Sequence, residues 1–357
     1  MDFEETQDKG YTPEHIQGTG PVAGGSAISS DPYPSDKKRP RRSIWRVLLW
    51  IMLAFSILAN FFLLLMLIAV GVFFAAGPKD FFAENVLRKG SLGNKIATIR
   101  VEGIINNQLS EEVRKQIRTA AKDDSVKAMI IRTITPGGTV SASDQIHHEI
   151  TRFRVKTDKP VVAFMQSIAA SGGYYTSVAC DKIIAEPTVI TGSIGVMSNH
   201  FVIKELLESK LGISSVVVKS GPRKNWPSLF EETTEVQKEY LMNKLINPTY
   251  ERFVGLVNDG RGMLTESEVR ELADGSIYGA FEALDNQLID QIGYLDEAIA
   301  LAESLAGIEN AHVIEYQLPF SLATFLSGQA GSIWNLDTDA LRETAVPQLL
   351  YLWDGGW

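Results

Sequence analysis

The stretch that indicates the fold is residues 126–153, VKAMIIRTITPGGTVSASDQIHHEITRF. Its first residues, Val126–Ile134, form an apolar run of the kind found in buried strands. Two glycines follow, and Ser141–Phe153 then has the spacing of a helix. A strand, a glycine-rich turn and a helix in this order are typical of a domain with parallel strands and crossover helices.

The same alternation extends from this stretch in both directions along the chain. Further strands are predicted at Lys95–Ile105, Pro160–Gln166, Lys182–Ala185, Ile190–Val196, Ser214–Val218 and His312–Tyr316. Further helices are predicted at Ser110–Lys122, from near Ser171, and at Thr234–Asn258, Glu266–Ala273, Phe281–Ile292 and Asp296–Ala306. The sequence therefore predicts one α/β domain with largely parallel pairing over residues 95–318.

Composition excludes several classes of function. The 357 residues carry a net charge of −9, which argues against a nucleic-acid partner because phosphate binding needs a concentrated basic face. The single cysteine, Cys180, excludes a disulfide framework and a cysteine-rich metal site, and we expect it to be a buried apolar residue. No metal, nucleotide or flavin signature is present, so we expect no cofactor.

The N-terminal part has the pattern of a membrane anchor. Residues 1–46 are predicted to be a disordered tail that ends in six basic residues between Lys37 and Arg46. Residues 47–77 carry no charge and are predicted to span the bilayer once, with a cleavable signal peptide as the alternative. The basic cluster predicts a cytoplasmic N-terminus and an extracytoplasmic domain. Residues 78–94 are predicted to be a linker that holds this domain close to the bilayer.

Two glycine-containing turns are candidates for chemistry. Gly137 and Gly138 follow a strand, so the turn is either an ordinary connection or a cradle of N–H groups for an oxyanion or phosphate. Ser171 begins a helix after another strand, where a serine is either an N-cap or a nucleophile. The N–H group of Gly172 and the positive end of this helix would favour an oxyanion beside Ser171.

A nucleophilic serine needs a base, and two residue types are available. His147 and His148 lie inside a predicted helix and His200 opens another, so none resembles a histidine held in a catalytic loop. Lys224 lies in a loop after a strand, where lysines are usually solvated. A neutral lysine can serve as the base if burial lowers its pKa by roughly 3 from about 10.4.

Motifs in a characteristic order resemble those of the signal peptide peptidase A, or protease IV, family. The motifs are Thr135-Pro136-Gly137-Gly138, Ala170-Ser171-Gly172-Gly173-Tyr174-Tyr175, Thr191-Gly192-Ser193-Ile194-Gly195-Val196, Lys219-Ser220-Gly221 with Lys224, and Gly275-Ser276-Ile277-Tyr278-Gly279 with Leu288-Ile289-Asp290. The resemblance covers residues 95–310. Thr139 and the bulky Asn225-Trp226-Pro227 depart from the family pattern, which puts the side-chain preference of the pocket in doubt.

The resemblance implies a Clp protease/crotonase-like fold of repeated ββα units and the short, membrane-anchored form of the family. It implies Ser171 as nucleophile, Lys224 as base, and an oxyanion hole from Gly137 or Gly138 together with Gly172. It also implies a homo-oligomeric ring in which neighbouring chains share each site. Apolar peptides leaving the membrane, such as released signal peptides, are then the expected substrates. The alternatives are a protease dedicated to one membrane-protein partner and a non-catalytic peptide-binding scaffold.

The C-terminal tail, residues 319–357, ends in an apolar and aromatic stretch, Val346–Trp353. One interpretation is a strand or helix that packs on the domain. The other is a segment that lies in a substrate groove or a subunit interface, so that deletion of Val346–Trp357 would raise activity or break the ring.

Overall fold

The computed structural model describes residues 44–75, 82–317 and 348–355. The chain divides into two units at Phe73/Phe74. The predicted tail, residues 1–43, and most of the predicted C-terminal tail, residues 318–347, lie outside the described residues.

Helix α1, Ile44–Ala75, begins in the first unit and ends just beyond its boundary, and residues 47–77 were predicted to be this helix. Among the described residues it is the one helix long and apolar enough to cross a membrane, over Ile44–Gly71. At 1.5 Å per residue this span is roughly 42 Å long, which exceeds a hydrocarbon core of about 30 Å. The Asn60 amide donates to the Ser56 carbonyl at 2.8 Å, so this polar side chain is satisfied within the helix.

The second unit is an α/β domain around a mostly parallel sheet. The strands are β1 Ala83–Arg88, β2 Ser91–Glu102, β3 Val126–Thr135, β4 Gly137–Thr139, β5 Val161–Ala170, β6 Lys182–Ala185, β7 Ile190–Gly192, β8 Met197–Asn199, β9 Ile277–Gly279, β10 Gln291–Ile292, β11 Ala311–Gln317 and β12 Gln348–Leu352. The main sheet has the order β1-β11-β2-β3-β5-β6-β10, and β7 joins β5 to β9. A second, antiparallel sheet has the order β4-β12-β8.

The helices of this unit cover both faces of the main sheet. They are α2 Asn107–Lys122, α3 Val140–Thr157, α4 Gly172–Ser177, α5 Glu235–Leu241, α6 Asn247–Gly260, α7 Glu266–Leu272, α8 Ala280–Asp285 and α9 Leu295–Ala306. A π-helical turn, Met242–Ile246, joins α5 to α6, so the predicted long helix is continuous.

Alternating residues of the central strands enter two separate cores. Met129 and Ile131 of β3 contribute to the core that contains residues of α2, α3, α4 and α6. Ala128 and Ile130 of the same strand contribute to the core beneath α9. Because both faces are buried, the central strands contain continuous apolar runs, Ala128–Ile131 in β3 and Val161–Met165 in β5, as in other parallel sheets. The predicted α/β class with largely parallel pairing is therefore confirmed.

The structure differs from the sequence prediction at several places. Strand β1 and the start of β2 lie within the predicted linker of residues 78–94, because β1 pairs antiparallel with β11 at the edge of the sheet. Ser214–Val218 forms no strand, since this exposed segment has no ladder partner among the described residues. The predicted helix Phe281–Ile292 ends at Asp285, and the edge strand β10 follows it.

Candidate active site

Ser171 occupies a sharp turn between β5 and α4. Its φ of 51° and ψ of −109° are unusual for a residue with a side chain. The turn is held by its own backbone, because the Ser171 N–H donates to the Gly192 carbonyl and the Tyr175 N–H donates to the Ser171 carbonyl, both at 2.8 Å. Ser171 is the N-cap residue of α4, but its side chain makes no capping hydrogen bond.

Ser171 lies at a cavity of about 380 Å³. The residue is almost fully buried, with 1% of its surface exposed. The other lining residues are Ser193, Gly195, Val196, Met197, Tyr250, Ala273, Asp274, Gly275, Leu352, Trp353 and Asp354. The site therefore gathers parts of the chain that are distant in sequence, including two of the glycine-containing motifs and the C-terminal strand β12.

The predicted oxyanion-hole glycines lie next to this turn. Gly137 has φ +108°, and the Cβ position that an alanine would occupy at Gly172 lies 3.1 Å from the Gly137 Cα. A Cβ at Gly138 would lie 2.0 Å from the Ile105 carbonyl oxygen. The absence of side chains is thus what allows these backbones to approach each other. The structure brings Gly137 against Gly172, the residue that follows Ser171, and Gly138 is the next residue of β4.

Their backbone donors are not equivalent. The Gly137 N–H donates to the Thr135 hydroxyl at 3.0 Å and is already satisfied. This leaves the N–H groups of Gly138 and Gly172 as the candidate oxyanion donors. Gly138 is also fixed in place, because the Thr139 N–H donates to the Ile105 carbonyl and the Ile105 N–H donates to the Gly137 carbonyl, both at 2.8 Å.

The two tyrosines after Ser171 anchor the short helix α4 in the core. The Tyr174 hydroxyl donates to the Leu288 carbonyl at 2.9 Å, and the Tyr175 hydroxyl donates to the Asp144 carboxylate at 2.6 Å. Burial by itself would raise the pKa of Asp144, but hydrogen bonds from Tyr175 and Arg252 outweigh it and lower that pKa. The carboxylate therefore stays ionised and holds Tyr175, and with it the Ser171 turn.

Lys224 lies on an exposed loop, residues 219–227. It is not among the described residues that line the Ser171 cavity. The loop is ordered by its neighbours, since the Arg223 guanidinium lies 4.8 Å from the Tyr240 ring centre and Lys219 donates to Asn225 at 2.8 Å. Within one chain, the structure thus groups the predicted serine with its glycines and leaves the predicted lysine at the surface.

The three candidate histidines do not line the Ser171 cavity either. His147 packs against the edge of the Tyr175 ring at 5.3 Å, and burial lowers its pKa to about 4. His200 lies 2.7 Å from the Thr233 hydroxyl, and His148 lines a separate surface cavity. Cys180 is buried, as predicted, and burial raises the pKa of its thiol, which suits an inert apolar residue.

The sequence analysis did not single out Ser193 as a residue of this site, and it left two interpretations of Val346–Trp353 open, of which the structure shows a strand, β12, that packs on the domain. Ser193 has φ 48° and donates its N–H to the Ser276 carbonyl at 2.7 Å. The pairing of β7 with β9 joins the Thr191–Val196 motif to the Gly275–Gly279 motif. Both motifs could be recognised in the sequence, but their pairing depends on contacts between distant parts of the chain.

Comparisons with known proteins point to one family. The profile of peptidase family S49 matches residues 154–309, which include both Ser171 and Lys224. A protein of Enterococcus faecium named signal peptide peptidase SppA is 35% identical over 245 residues, 66% of this chain and 70% of that protein. Protease 4 of Salmonella typhi is 33% identical over 271 residues, 74% of this chain but 43% of that longer protein.

Two further similarities are to a second bacterial relative and to a solved structure. A protease-named protein of Synechocystis is 36% identical over 221 residues, 62% of this chain and 78% of that protein. Among solved structures, a ClpP1 variant of Listeria monocytogenes is 18% identical with a TM-score of 0.37, covering 57% of this chain and 94% of that one. From the first three of these relatives and the matching profile, the chain belongs to peptidase family S49, the family of signal peptide peptidase A and protease IV.

Proposed function

We propose that the protein is a membrane-anchored serine endopeptidase that cleaves apolar peptides, such as released signal peptides, with Ser171 as nucleophile and Lys224 as general base. The observation that carries this proposal is the Ser171 turn. A serine held at positive φ, at a cavity and beside closely approaching glycines, is the arrangement that acyl transfer requires.

The reaction follows from these positions. The Ser171 hydroxyl attacks the substrate carbonyl carbon, and the base takes its proton. The N–H groups of Gly138 and Gly172 stabilise the oxyanion, and the proton passes to the leaving amine. Water then hydrolyses the acyl-enzyme by the same steps in reverse. Each preorganised oxyanion donor in such sites is worth about 3 kcal/mol of barrier.

The base is supplied by a neighbouring copy of the chain. Lys224 is exposed and does not line the cavity of its own Ser171. The segment that precedes its loop carries a group of exposed apolar residues: Phe201, Leu211, Ile213, Val216 and Val218. An exposed apolar surface of this kind is typical of an interface. Burial of Lys224 in that interface would also favour the neutral amine that a base must have.

Membrane attachment is consistent with apolar peptide substrates. Helix α1 has the length and composition to span a bilayer, and one relative of the chain is named as a signal peptide peptidase. The basic residues between Lys37 and Arg46 favour an orientation with the N-terminus in the cytoplasm and the catalytic domain on the other side. The active sites would then lie where apolar peptides leave the membrane.

The test uses the full chain in detergent micelles and a quenched apolar peptide. Ser171→Ala and Lys224→Ala should each abolish turnover, and Lys210→Ala, which removes another exposed lysine of the same region, should not. A co-assembled equimolar mixture of the two inactive variants should regain about a quarter of wild-type turnover, because random mixing pairs an intact serine with an intact lysine in one site of four.

Other outcomes separate the alternatives. A mixture that stays inactive would place the serine and lysine of one site in the same chain. Near-normal turnover by Lys224→Ala would show that another residue is the base. A wild-type chain that cleaves no peptide would favour a dedicated protein partner, or a scaffold without catalysis.

A further inference from the structure

We propose that the surface cavity formed by helices α2 and α3 is a binding site for a phosphate group, held by the guanidinium groups of Arg114, Arg118 and Arg152. This cavity shares no lining residue with the Ser171 cavity, and the proposed site does not depend on the peptidase chemistry. The ligand class is a tetrahedral phosphate oxyanion, carried either by free inorganic phosphate or by a lipid headgroup.

The composition of the cavity suits a small charged ligand. Its volume is about 460 Å³, and every residue that the structure shows lining it is polar or charged. Two of the three arginines lie on α2 and the third lies on α3. Sites for apolar small molecules are lined mostly by hydrophobic side chains, so this cavity is of another kind. On a chain with a net charge of −9, three neighbouring arginines create a local positive field that attracts anions.

The three arginines converge on one buried carboxylate, that of Glu149. Arg118 donates to both carboxylate oxygens, at 2.9 and 3.1 Å, and Arg152 donates to one of them at 3.0 Å. The Arg114 guanidinium lies 4.0 Å from the same carboxylate. Burial by itself would raise the pKa of Glu149, but the hydrogen bond from Arg118 and the charges of the arginines lower it overall. The ionised carboxylate therefore holds the arginine side chains in place, which reduces the entropy that a ligand must offset on binding.

The carboxylates around the arginines do not balance their charge. Glu111 and Glu149 are the two carboxylates that pair with the three guanidinium groups. Asp144 also lines the cavity, but it accepts hydrogen bonds from Arg252 at 2.6 and 2.9 Å and is balanced by that residue. Among the described residues, one guanidinium charge of the cavity is thus left without a counter-charge, which a bound anion would supply.

Each of the three arginines also keeps hydrogen-bond donors that no other described residue uses. These donors include the Nη1 group of Arg118, the Nη2 group of Arg114, and the Nε and Nη2 groups of Arg152. Guanidinium groups match the geometry of phosphate oxygens. A tetrahedral phosphate has oxygens in several directions and can bind donors from two helices at once, whereas a planar carboxylate ligand offers only two oxygens. The arrangement therefore favours phosphate over carboxylate.

Isothermal titration calorimetry tests the site directly. The full chain in a neutral detergent is titrated with inorganic phosphate, and separately with acetate, at an ionic strength kept constant with sodium chloride. We expect saturable binding of one phosphate per chain, at least tenfold tighter than the binding of acetate. Absence of saturable phosphate binding, or acetate bound as tightly as phosphate, would overturn the inference.

Arg152→Gln is the variant least able to disturb the fold, because Glu149 keeps both hydrogen bonds from Arg118. It should weaken phosphate binding roughly tenfold through loss of a charge-assisted hydrogen bond, and Arg114→Gln on the other helix should do the same. The control is Arg270→Gln. It removes a similarly exposed arginine, 40% against 41%, but one that pairs with two carboxylates.

The control should change the phosphate affinity less than twofold, and circular dichroism shows that the variants are folded. Unchanged affinity in both cavity variants, or an equal loss in the Arg270→Gln control, would contradict the site.

The source of the phosphate group is identified by adding phosphatidylglycerol to the detergent micelles. If the site takes a lipid headgroup, the lipid should compete and weaken the binding of inorganic phosphate to the wild type at least tenfold. If the site takes free phosphate, the lipid should change that affinity less than twofold. Either result supports the phosphate site and assigns its ligand. Because no measurement uses turnover, a chain that cleaves no peptide would refute the proposed function and leave this inference standing.

Discussion

Ser171 shows how a single backbone conformation directs a side chain toward a cavity. A residue with a side chain at such φ and ψ values costs on the order of 1–3 kcal/mol, which the surroundings must repay. The hydrogen bonds to Gly192 and from Tyr175 hold the turn, and the anchored tyrosines hold the helix that follows. Ser193, also at positive φ, lines the same cavity.

Alanine substitutions at two glycines, Gly138 and Gly255, should change the free energy of unfolding in opposite directions. Gly138→Ala places a Cβ 2.0 Å from the Ile105 carbonyl oxygen, and overpacking against backbone should lower the free energy of unfolding by about 1–3 kcal/mol. Gly255→Ala, in helix α6 with open space around it, should raise it by about 0.5–1 kcal/mol because alanine favours the helix. Chemical unfolding followed by circular dichroism measures both. Equal changes in the two variants would contradict the close approach of β4 to Ile105.

The connection from α8 to β10 depends on one carboxylate. Asp290 accepts hydrogen bonds from the Ile183 N–H at 2.8 Å and from Arg261 at 2.7 Å, and it also binds Lys182 at 3.0 Å. It thus joins the edge strand β10 to β6 and to the end of α6. Asp290 lies in one of the motifs that carried the family resemblance, and its observed contacts are structural ones.

Asp290→Asn should cost about 3 kcal/mol of stability at neutral pH, because it leaves the buried Arg261 without a counter-charge. Burial would raise the pKa of Asp290, but Arg261 and its other donors lower it overall. Its stabilisation is therefore complete above the unfolded pKa of about 3.9 and is lost as pH falls through the lower folded value.

Unfolding experiments as a function of pH check this prediction. The asparagine variant should show a smaller loss of stability between neutral and acid pH than the wild type. Lys182→Ala serves as the control, because the half-exposed Lys182–Asp290 pair should contribute less than about 1 kcal/mol. An asparagine variant as stable as the lysine variant would contradict the buried role of Asp290.

The assembly of several copies proposed above can be tested through the exposed apolar residues that precede Lys224. Val216 and Val218 are 86% and 95% exposed, and they lie on the segment that leads to Lys224. The double variant Val216→Glu/Val218→Glu should dissociate the assembly and abolish turnover while the circular dichroism spectrum is retained, since charges oppose burial of this surface. Mass photometry in detergent measures the oligomer.

The control for the assembly prediction is Val155→Glu. Val155 is 79% exposed on helix α3, away from that segment in sequence, and its substitution should change neither assembly nor turnover. An intact, active oligomer of the double variant would exclude this segment as the interface.

Helices and central strands were largely predictable because their signals are local. The apolar run of β3 and the spacing of α2, α3 and α9 follow from burial along one element. The short strands β4 and β8 have no such signal, and the apolar stretch that contains β12 was compatible with either a strand or a helix. Each has five residues or fewer, and each exists because a partner strand from elsewhere in the chain completes its ladder. The exposed Ser214–Val218 was mistaken for a strand because β-branched residues favour strands wherever they occur.

The sequence alone determined the family, the order of the elements, the apolar helix before the domain and the identity of the candidate residues, since these depend on local composition and on motif order. Only the tertiary structure decided that Gly137 and Gly172 touch beside Ser171, that Lys224 lies outside the cavity of its own chain, and that Tyr351 enters an aromatic pocket. Those arrangements depend on contacts between residues as far apart as Gly138 and Tyr351, which no local pattern encodes.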